Sequence, residues 1–197
     1  MSQEFPVINI VQFLETGESN YGHGFEGGPG WSELARVACL CSTAEFIDDS
    51  EDGQPVSARQ IRGDASEQGI LRCYESILQD SSSVRASSPK VAEIPFNSRN
   101  KFQVSVHDVD RRGTYQLVMK GAPEIILSKC STILLGNLEV PIDQTITQAF
   151  QAANSDLGSK GERVLGFCDL YLDSSLFPAG YSFDIEDGAN FPLNNLR

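Results

Sequence analysis

The segment from Tyr115 to Glu124 constrains the fold most, because an apolar run leads directly into a lysine, a glycine and a proline. The run at residues 115–119 has the composition of a β-strand. Pro123 suits the first turn of a helix, where a backbone N–H is not needed. Gly121 has no side chain and leaves room for a ligand beside the backbone. The segment therefore predicts a strand-to-helix junction, with Lys120 where the strand ends.

Strand patterns surround this junction. Residues 91–94 and 102–106 are rich in apolar side chains, and the polar turn 108–113 joins the second of these runs to the strand at 115–119. Two runs joined by such a turn are typical of a hairpin. Residues 163–171 predict a further, long strand.

Helical patterns interrupt the strands. Apolar residues at helical spacing follow Trp31 and Asp64, and a third helix should start at Pro123. Asp143 can cap a fourth. The serine-rich stretch 80–89 is expected to be a mobile loop. Together the patterns predict an α+β fold, a mostly antiparallel twisted sheet flanked by helices.

The composition limits the class of protein. With 197 residues, 40% of them hydrophobic, the chain can form one substantial core, and we expect a single domain over residues 1–197. A formal net charge of −12 argues against nucleic-acid binding, which depends on cationic contacts with phosphates. Five cysteines without disulfide spacing indicate a reducing compartment. Cys39 and Cys41 are expected on a buried helix, and we expect no metal site.

Three polar or aromatic residues have ordinary explanations on the residues alone. Asp64-Ala-Ser-Glu67 fits a capping box, in which Glu67 would bond back to the helix start. Phe96 could be a core aromatic, although Lys101 lies just beyond it and suits a negatively charged ligand. Lys120 could be a solvated lysine at a strand end, but its alternation with Leu117 places the two side chains on opposite faces of the sheet. These alternatives stay open at this point.

Four segments, in this order and spacing, resemble one known family. They are Gly63–Glu67, Pro95–Lys101, Lys120–Glu124 and Gly161–Cys168. Together they are similar to the nucleotide-binding (N) domain of P-type cation pumps, in particular the alpha subunits of sodium/potassium-transporting and proton/potassium ATPases. The resemblance covers nearly the whole chain. One departure is Ile125, where the family pattern has arginine, which leaves one local ion pair in doubt.

The resemblance implies a nucleotide site. In the family, the residue matching Glu67 accepts a hydrogen bond from the adenine amino group, and the residue matching Phe96 stacks on the base. Arg163, which could otherwise pair with Glu162, is expected to face phosphate. Cys168 is expected to lie close to the base. The full set of nucleotide-binding residues is Ser66, Glu67, Phe96, Lys101, Gln103, Lys120, Gly121, Arg163 and Leu165.

The resemblance also implies the function. We expect a module that binds ATP and presents its terminal phosphate to the phosphorylation domain of a membrane pump, next to an actuator domain, on the cytoplasmic side of a plasma membrane. The sequence contains neither the Asp-Lys-Thr-Gly-Thr phosphorylation motif nor the Thr-Gly-Asp-Gly magnesium motif, nor an apolar run of ~18 residues that could span a bilayer. The chain is therefore expected to be an excised, monomeric domain without catalysis of its own, and magnesium should be held elsewhere. The alternative is a regulatory protein-interaction module with the same fold and little nucleotide binding.

Overall fold

A computed structural model describes residues 30–47, 55–135, 138–161, 163–186 and 188–197. The helices are α1 (Trp31–Leu40), α2 (Ala65–Leu78), α3 (Ser81–Ser87), α4 (Pro123–Lys129) and α5 (Gln144–Ser159), with a short 3-10 helix at Val56–Ala58. The strands are β1 (Glu45–Phe46), β2 (Ile61–Arg62), β3 (Lys90–Ile94), β4 (Phe102–Asp108), β5 (Tyr115–Gly121), β6 (Thr132–Leu135), β7 (Leu138–Pro141) and β8 (Gly166–Tyr171).

The main sheet has four antiparallel strands in the order β3-β4-β5-β8. The register places Gln103 of β4 opposite Lys120 of β5, and Lys120 opposite Phe167 of β8. Because side chains directly opposite each other lie on the same face of a sheet, these three share one face. The pairs β1-β2 and β6-β7 form two separate two-stranded sheets. The predicted α+β fold with a mostly antiparallel sheet is confirmed.

The two faces of the main sheet carry different cores. On one face, buried side chains of β4 and β5 such as Val104, Leu117 and Met119 pack with Ile126 of α4 and with the chain after β8. On the other face, Val118 packs against α1, which in turn packs against α2. Alternation along β5 therefore sends Lys120 to the helical face, away from Met119.

Local sequence signals explain where the helices begin. The Asp64 side chain accepts a hydrogen bond from the backbone N–H of Glu67 at 3.0 Å, and Asp143 caps α5 in the same way through Ile146 at 2.8 Å. Pro123 occupies the first turn of α4. Such side-chain caps satisfy N–H groups that have no partner within the helix. These three predicted starts are confirmed.

Two expectations about secondary structure are wrong. The serine-rich stretch 80–89 is not an irregular loop, since α3 occupies most of it and Asp80 caps the helix by accepting from the N–H of Ser83 at 2.8 Å. Serine is weakly helix-forming, and here the cap and tertiary contacts outweigh that preference. The last strand is shorter than predicted, because residues 163–165 are not paired and β8 starts at Gly166.

Other expectations concern residues outside these ranges. The sequence predicts a strand at 7–14 and a glycine-rich loop after it, and most of this stretch lies outside the described residues. In the described part of the chain, no helix is both long and apolar enough to cross a membrane.

Candidate functional site

A cavity of about 870 Å³ lies where β4 begins and β5 ends, on the helical face of the sheet. Its walls come from the start of α2, the segment after β3, the end of β5 and residues 163–165. All nine residues predicted from the sequence line it: Ser66, Glu67, Phe96, Lys101, Gln103, Lys120, Gly121, Arg163 and Leu165. The volume lies within the usual range for small-molecule sites.

An ion pair forms one wall of the cavity. The Nζ atom of Lys120 contacts Oε1 of Glu67, and the two residues are only 7% and 6% exposed. Burial lowers the pKa of the Lys120 ammonium, because water no longer solvates its charge. The negative charge of the nearby Asp64 opposes that shift.

The second oxygen of Glu67 is held by the loop after α1. Oε2 accepts hydrogen bonds from the hydroxyl of Ser42 and from the N–H groups of Thr43 and Ala44, at 2.8 and 3.2 Å for the two N–H groups. We call residues 42–44 the 42–44 loop. Asp64 alone caps α2, and the Glu67 side chain makes its contacts elsewhere. The capping-box interpretation of Glu67 is therefore wrong.

A row of polar side chains continues from the ion pair across the sheet. Gln103, opposite Lys120, is 5% exposed and donates from Nε2 to Oε1 of Glu93 at 3.1 Å. The other oxygen of Glu93 accepts from the ammonium of Lys90. Glu93 also lines the cavity. Gln103 thus has its amide nitrogen fixed by Glu93.

Phe96 is much more exposed than Phe102, the aromatic residue at the start of β4. Its side chain is 57% exposed although it lines the cavity, whereas Phe102 at the start of β4 is 8% exposed and belongs to the core. The interpretation of Phe96 as a core aromatic is therefore wrong. An exposed ring at a cavity wall offers one face to a planar ligand.

Two cations stand at the outer part of the cavity. Lys101 and Arg163 are both exposed and line it. Within the described part of the chain, neither side chain forms an ion pair. Among the described residues, no carboxylate compensates their charges, whereas Glu67 compensates the charge of Lys120.

The absence of a side chain at Gly121 has a different structural role from the one expected. A Cβ atom at this position would lie 2.4 Å from the carbonyl oxygen of Lys101 and 2.9 Å from Cα of Phe102. Those distances are far below van der Waals contact. The missing side chain therefore accommodates the neighbouring strand, not a ligand.

Cys168 does not lie beside the cavity. It is opposite Met119 in the sheet register and is buried in the core on the other face. Its neighbour Phe167 lies on the helical face instead, as alternation along β8 requires. The expectation that Cys168 lies close to a bound base is wrong. Cys39 and Cys41 are fully buried, as expected, but only Cys39 lies within α1, and Cys41 follows its last residue.

Several cavity residues were not predicted from the sequence. Glu93 could have been found from its place in β3, since it pairs with Ser105 and so shares a face with Gln103. Thr43 lines the cavity through a tertiary contact between the 42–44 loop and α2. No local pattern in the sequence signals that contact.

Comparisons with known proteins identify the family of this chain. Residues 30–196 match the family model described as the P-type ATPase, cytoplasmic domain N. The chain is 45% identical over 190 residues to the sodium/potassium-transporting ATPase subunit alpha of Tetronarce californica, which is 95% of this chain and 18% of that protein. It is 47% identical over 193 residues to the potassium-transporting ATPase alpha chain 2 of Oryctolagus cuniculus, which is 95% of this chain and 17% of that protein.

The match to the sodium/potassium-transporting ATPase subunit alpha of Drosophila melanogaster is 47% over 192 residues, again 18% of that protein. The chain thus spans less than a fifth of the length of these relatives. The family match includes every cavity residue described above. The chain therefore belongs to the family of P-type ATPase cytoplasmic N domains.

Proposed function

We propose that the cavity binds an adenine nucleotide. The observation that carries this proposal is the combination of an exposed aromatic ring, Phe96, with the buried Glu67–Lys120 pair in the same cavity. A planar base needs a ring face for stacking and a fixed polar group for its edge. Both are present here.

Base recognition would use Phe96 and Glu67. Each oxygen of a carboxylate has two lone pairs. Oε1 of Glu67 receives one donor, Lys120, among the described residues, so one acceptor position remains on that oxygen. The adenine amino group can donate to it. Guanine presents a carbonyl oxygen at the same edge, which would leave that position unpaired, at a cost of about 1 to 3 kcal/mol.

The triphosphate would lie toward Lys101 and Arg163. Arg163 offers two parallel N–H donors, which suits phosphate oxygens. Because both residues are exposed, solvent screens their charges and the phosphates gain little binding energy. We expect a dissociation constant on the order of 0.1 to several mM. AMP, ADP and ATP should differ by less than about tenfold, which is ~1.4 kcal/mol.

In the whole protein, this domain would present ATP to a phosphorylation domain in another part of that protein, next to an actuator domain. That protein would be a P-type cation pump. The similarity to its relatives favours the sodium/potassium-exchanging type, with this domain on the cytoplasmic side of the plasma membrane.

Magnesium would neutralise charge on the phosphates. Among the described residues, no group of three or more His, Cys, Asp or Glu side chains could hold a metal ion. We therefore place its protein ligands outside this part of the chain, and we expect no hydrolysis by the 197-residue chain alone.

Nucleotide titration followed by NMR tests the proposal. Adding ATP to the 197-residue chain should shift the backbone amide signals of Phe96, Lys120 and Gly121 along one saturable curve. Signals of the α5 surface, such as Asp156, should stay in place. A regulatory interaction module without a nucleotide site would show no saturable shifts at Phe96 or Lys120.

A phosphate-release assay on the same sample tests the expectation that the 197-residue chain does not hydrolyse ATP. Release above a buffer control that disappears in Glu67→Gln would show that the chain has catalytic activity of its own.

A further inference from the structure

Arg85, in the last turn of α3, donates hydrogen bonds to the end of α1 and to the 42–44 loop. Its Nη1 donates to the carbonyl of Ala44 at 2.7 Å, its Nη2 to the carbonyl of Ser42 at 3.1 Å, and its Nε to the carbonyl of Cys39 at 3.0 Å. Nη2 also donates to the hydroxyl of Tyr74 in α2 at 2.6 Å. The guanidinium therefore ties the end of α1 and the 42–44 loop to α2.

The same short loop also donates hydrogen bonds to Glu67. The carbonyls of Ser42 and Ala44 accept hydrogen bonds from Arg85. The Ser42 hydroxyl and the Ala44 N–H donate to Oε2 of Glu67. The N–H of Thr43 adds a third donor at 2.8 Å. The carbonyls and the donors of one loop thus connect Arg85 to the carboxylate that lines the cavity.

We propose that Arg85 is a positioning residue for base recognition: it fixes the 42–44 loop, and the loop in turn orients the Glu67 carboxylate. This inference rests on the proposed adenine-nucleotide function. Arg85 does not line the cavity, so its effect reaches the base only through the loop and Glu67.

The chemistry of the side chain supports this role. A guanidinium is planar and always charged, and its donors diverge in a fixed fork, so it can hold several carbonyls in one arrangement. A lysine keeps the charge and most of the aliphatic stem but ends in a single nitrogen. It cannot reach the carbonyls of Cys39, Ser42 and Ala44 together in the present geometry. Arg85→Lys should therefore loosen the loop while preserving the fold.

Three variants of the 197-residue chain test the proposal. Arg85→Lys removes the fork. Ser42→Ala removes the hydroxyl donor to Glu67 but keeps the carbonyl that Arg85 grips. Arg72→Lys is the matched control, because Arg72 is a part-buried arginine of α2 whose Nη2 donates to the carbonyl of Arg59 at 3.1 Å, away from the 42–44 loop.

Two measurements are made on each variant. The first is the ratio of GTP to ATP dissociation constants. We expect ATP binding to weaken about 3- to 10-fold in Arg85→Lys and Ser42→Ala, on the scale of one hydrogen bond, while GTP binding changes less than about twofold. The second is the pair of amide proton signals of Thr43 and Ala44, which should move upfield as their bonds to Glu67 lengthen. Arg72→Lys should change neither measurement.

The results separate this inference from the proposed function. Absence of saturable ATP binding by the unmodified chain would overturn both. If Glu67→Gln narrows the preference for ATP but Arg85→Lys and Ser42→Ala leave it unchanged, the inference about Arg85 is wrong and the nucleotide site stands. Ser42→Ala keeps the test decisive even if Arg85→Lys does not fold, since an unchanged ratio in Ser42→Ala contradicts the route through the loop.

Discussion

Glu67 and Lys120 meet at the cavity wall although 53 positions separate them in the chain. Glu67 comes from the first turn of α2 and Lys120 from the end of β5, so their contact joins the helical layer to the sheet. Both side chains are buried. A cavity built around this pair depends on the packing of two layers.

The first prediction concerns this ion pair. Lys120→Met should lower the free energy of unfolding by about 3 kcal/mol, because it leaves the Glu67 charge buried without a cation. The double variant Lys120→Met with Glu67→Gln should also have a lower free energy of unfolding. Its loss should be smaller than the sum of the two single-variant losses by at least about 1 kcal/mol, since the effects of substituting two residues in contact do not add. Urea denaturation of the four proteins measures this.

An exposed pair provides the control. Lys160 and Asp156 lie 2.7 Å apart, but their side chains are 57% and 62% exposed. Lys160→Met should change the unfolding free energy by less than about 0.5 kcal/mol. A similar loss in Lys120→Met and Lys160→Met would show that the buried pair has no special role in the fold.

The second prediction concerns Gly121. Gly121→Ala should lower the free energy of unfolding by about 1 to 3 kcal/mol, because the new methyl group would overlap the Lys101 carbonyl and Phe102 of the neighbouring strand. Gly158→Ala is the matched control. Outside its own helical backbone, no atom of the described residues lies within 4 Å of a Cβ at Gly158, which is inside α5, so alanine should stabilise the protein by up to about 1 kcal/mol. Thermal melts of the two variants that shift in the same direction would contradict this reading of Gly121.

The third prediction concerns pH. His107 is buried between the carbonyl of Ser88, 2.8 Å from Nδ1, and the hydroxyl of Ser105, 2.9 Å from Nε2. Burial lowers the pKa of His107. The nearby charge of Lys90 also lowers this pKa, whereas the charge of Glu93 raises it. A carbonyl only accepts, so Nδ1 carries the proton and donates it in the hydrogen bond to Ser88.

Since the folded state disfavours protonation of His107, the unfolded state binds the proton first as pH falls. The contribution of neutral His107 to the free energy of unfolding should be fully present above the unfolded-state pKa of about 6.5. It should decrease as the pH falls from there toward the lower pKa of the folded state. Chemical denaturation at pH 7.5, 6.5 and 5.5 should show a smaller decrease in His107→Gln than in the unmodified chain. Equal slopes in the two proteins would exclude His107 as the cause.

The fourth prediction separates binding from folding at Phe96. Because the ring is 57% exposed, Phe96→Ala should change the unfolding free energy by less than about 0.5 kcal/mol. The same change should weaken both ATP and GTP by about 1 to 3 kcal/mol through lost stacking. Phe102→Ala, at a buried position, should instead destabilise the fold by about 3 to 5 kcal/mol. Unchanged nucleotide affinity in a folded Phe96→Ala would remove the stacking platform from the proposal.

Local patterns were sufficient for most of the sheet and the helix starts. The hairpin of β4 and β5 follows from two apolar runs around a polar turn, and Asp64 and Asp143 mark helix starts through their own side-chain bonds. The helix at Ser81–Ser87 could not be recognised in this way, because its composition favours a loop. The bonds of Arg85 to three carbonyls are tertiary contacts, which leave no periodic signal in the sequence.

The candidate site shows the same division. On the residues alone, Glu67 fits a cap and Phe96 a core position, and only the family resemblance favoured the cavity that the structure contains. Alternation along β5 did place Lys120 on the face opposite Leu117. Its partner could not be foreseen, since the contact with Glu67 depends on how α2 packs over the end of the sheet.

The most direct test of the nucleotide site is an intermolecular NOE experiment on the 197-residue chain saturated with ATP. A base stacked on Phe96 with its amino edge at Glu67 should give NOEs from adenine H2 or H8 to the ring protons of Phe96. These cross-peaks should be absent in Phe96→Ala, which should remain folded. ATP-dependent shifts without any NOE to Phe96, or NOEs to residues outside the cavity, would contradict the proposed adenine site.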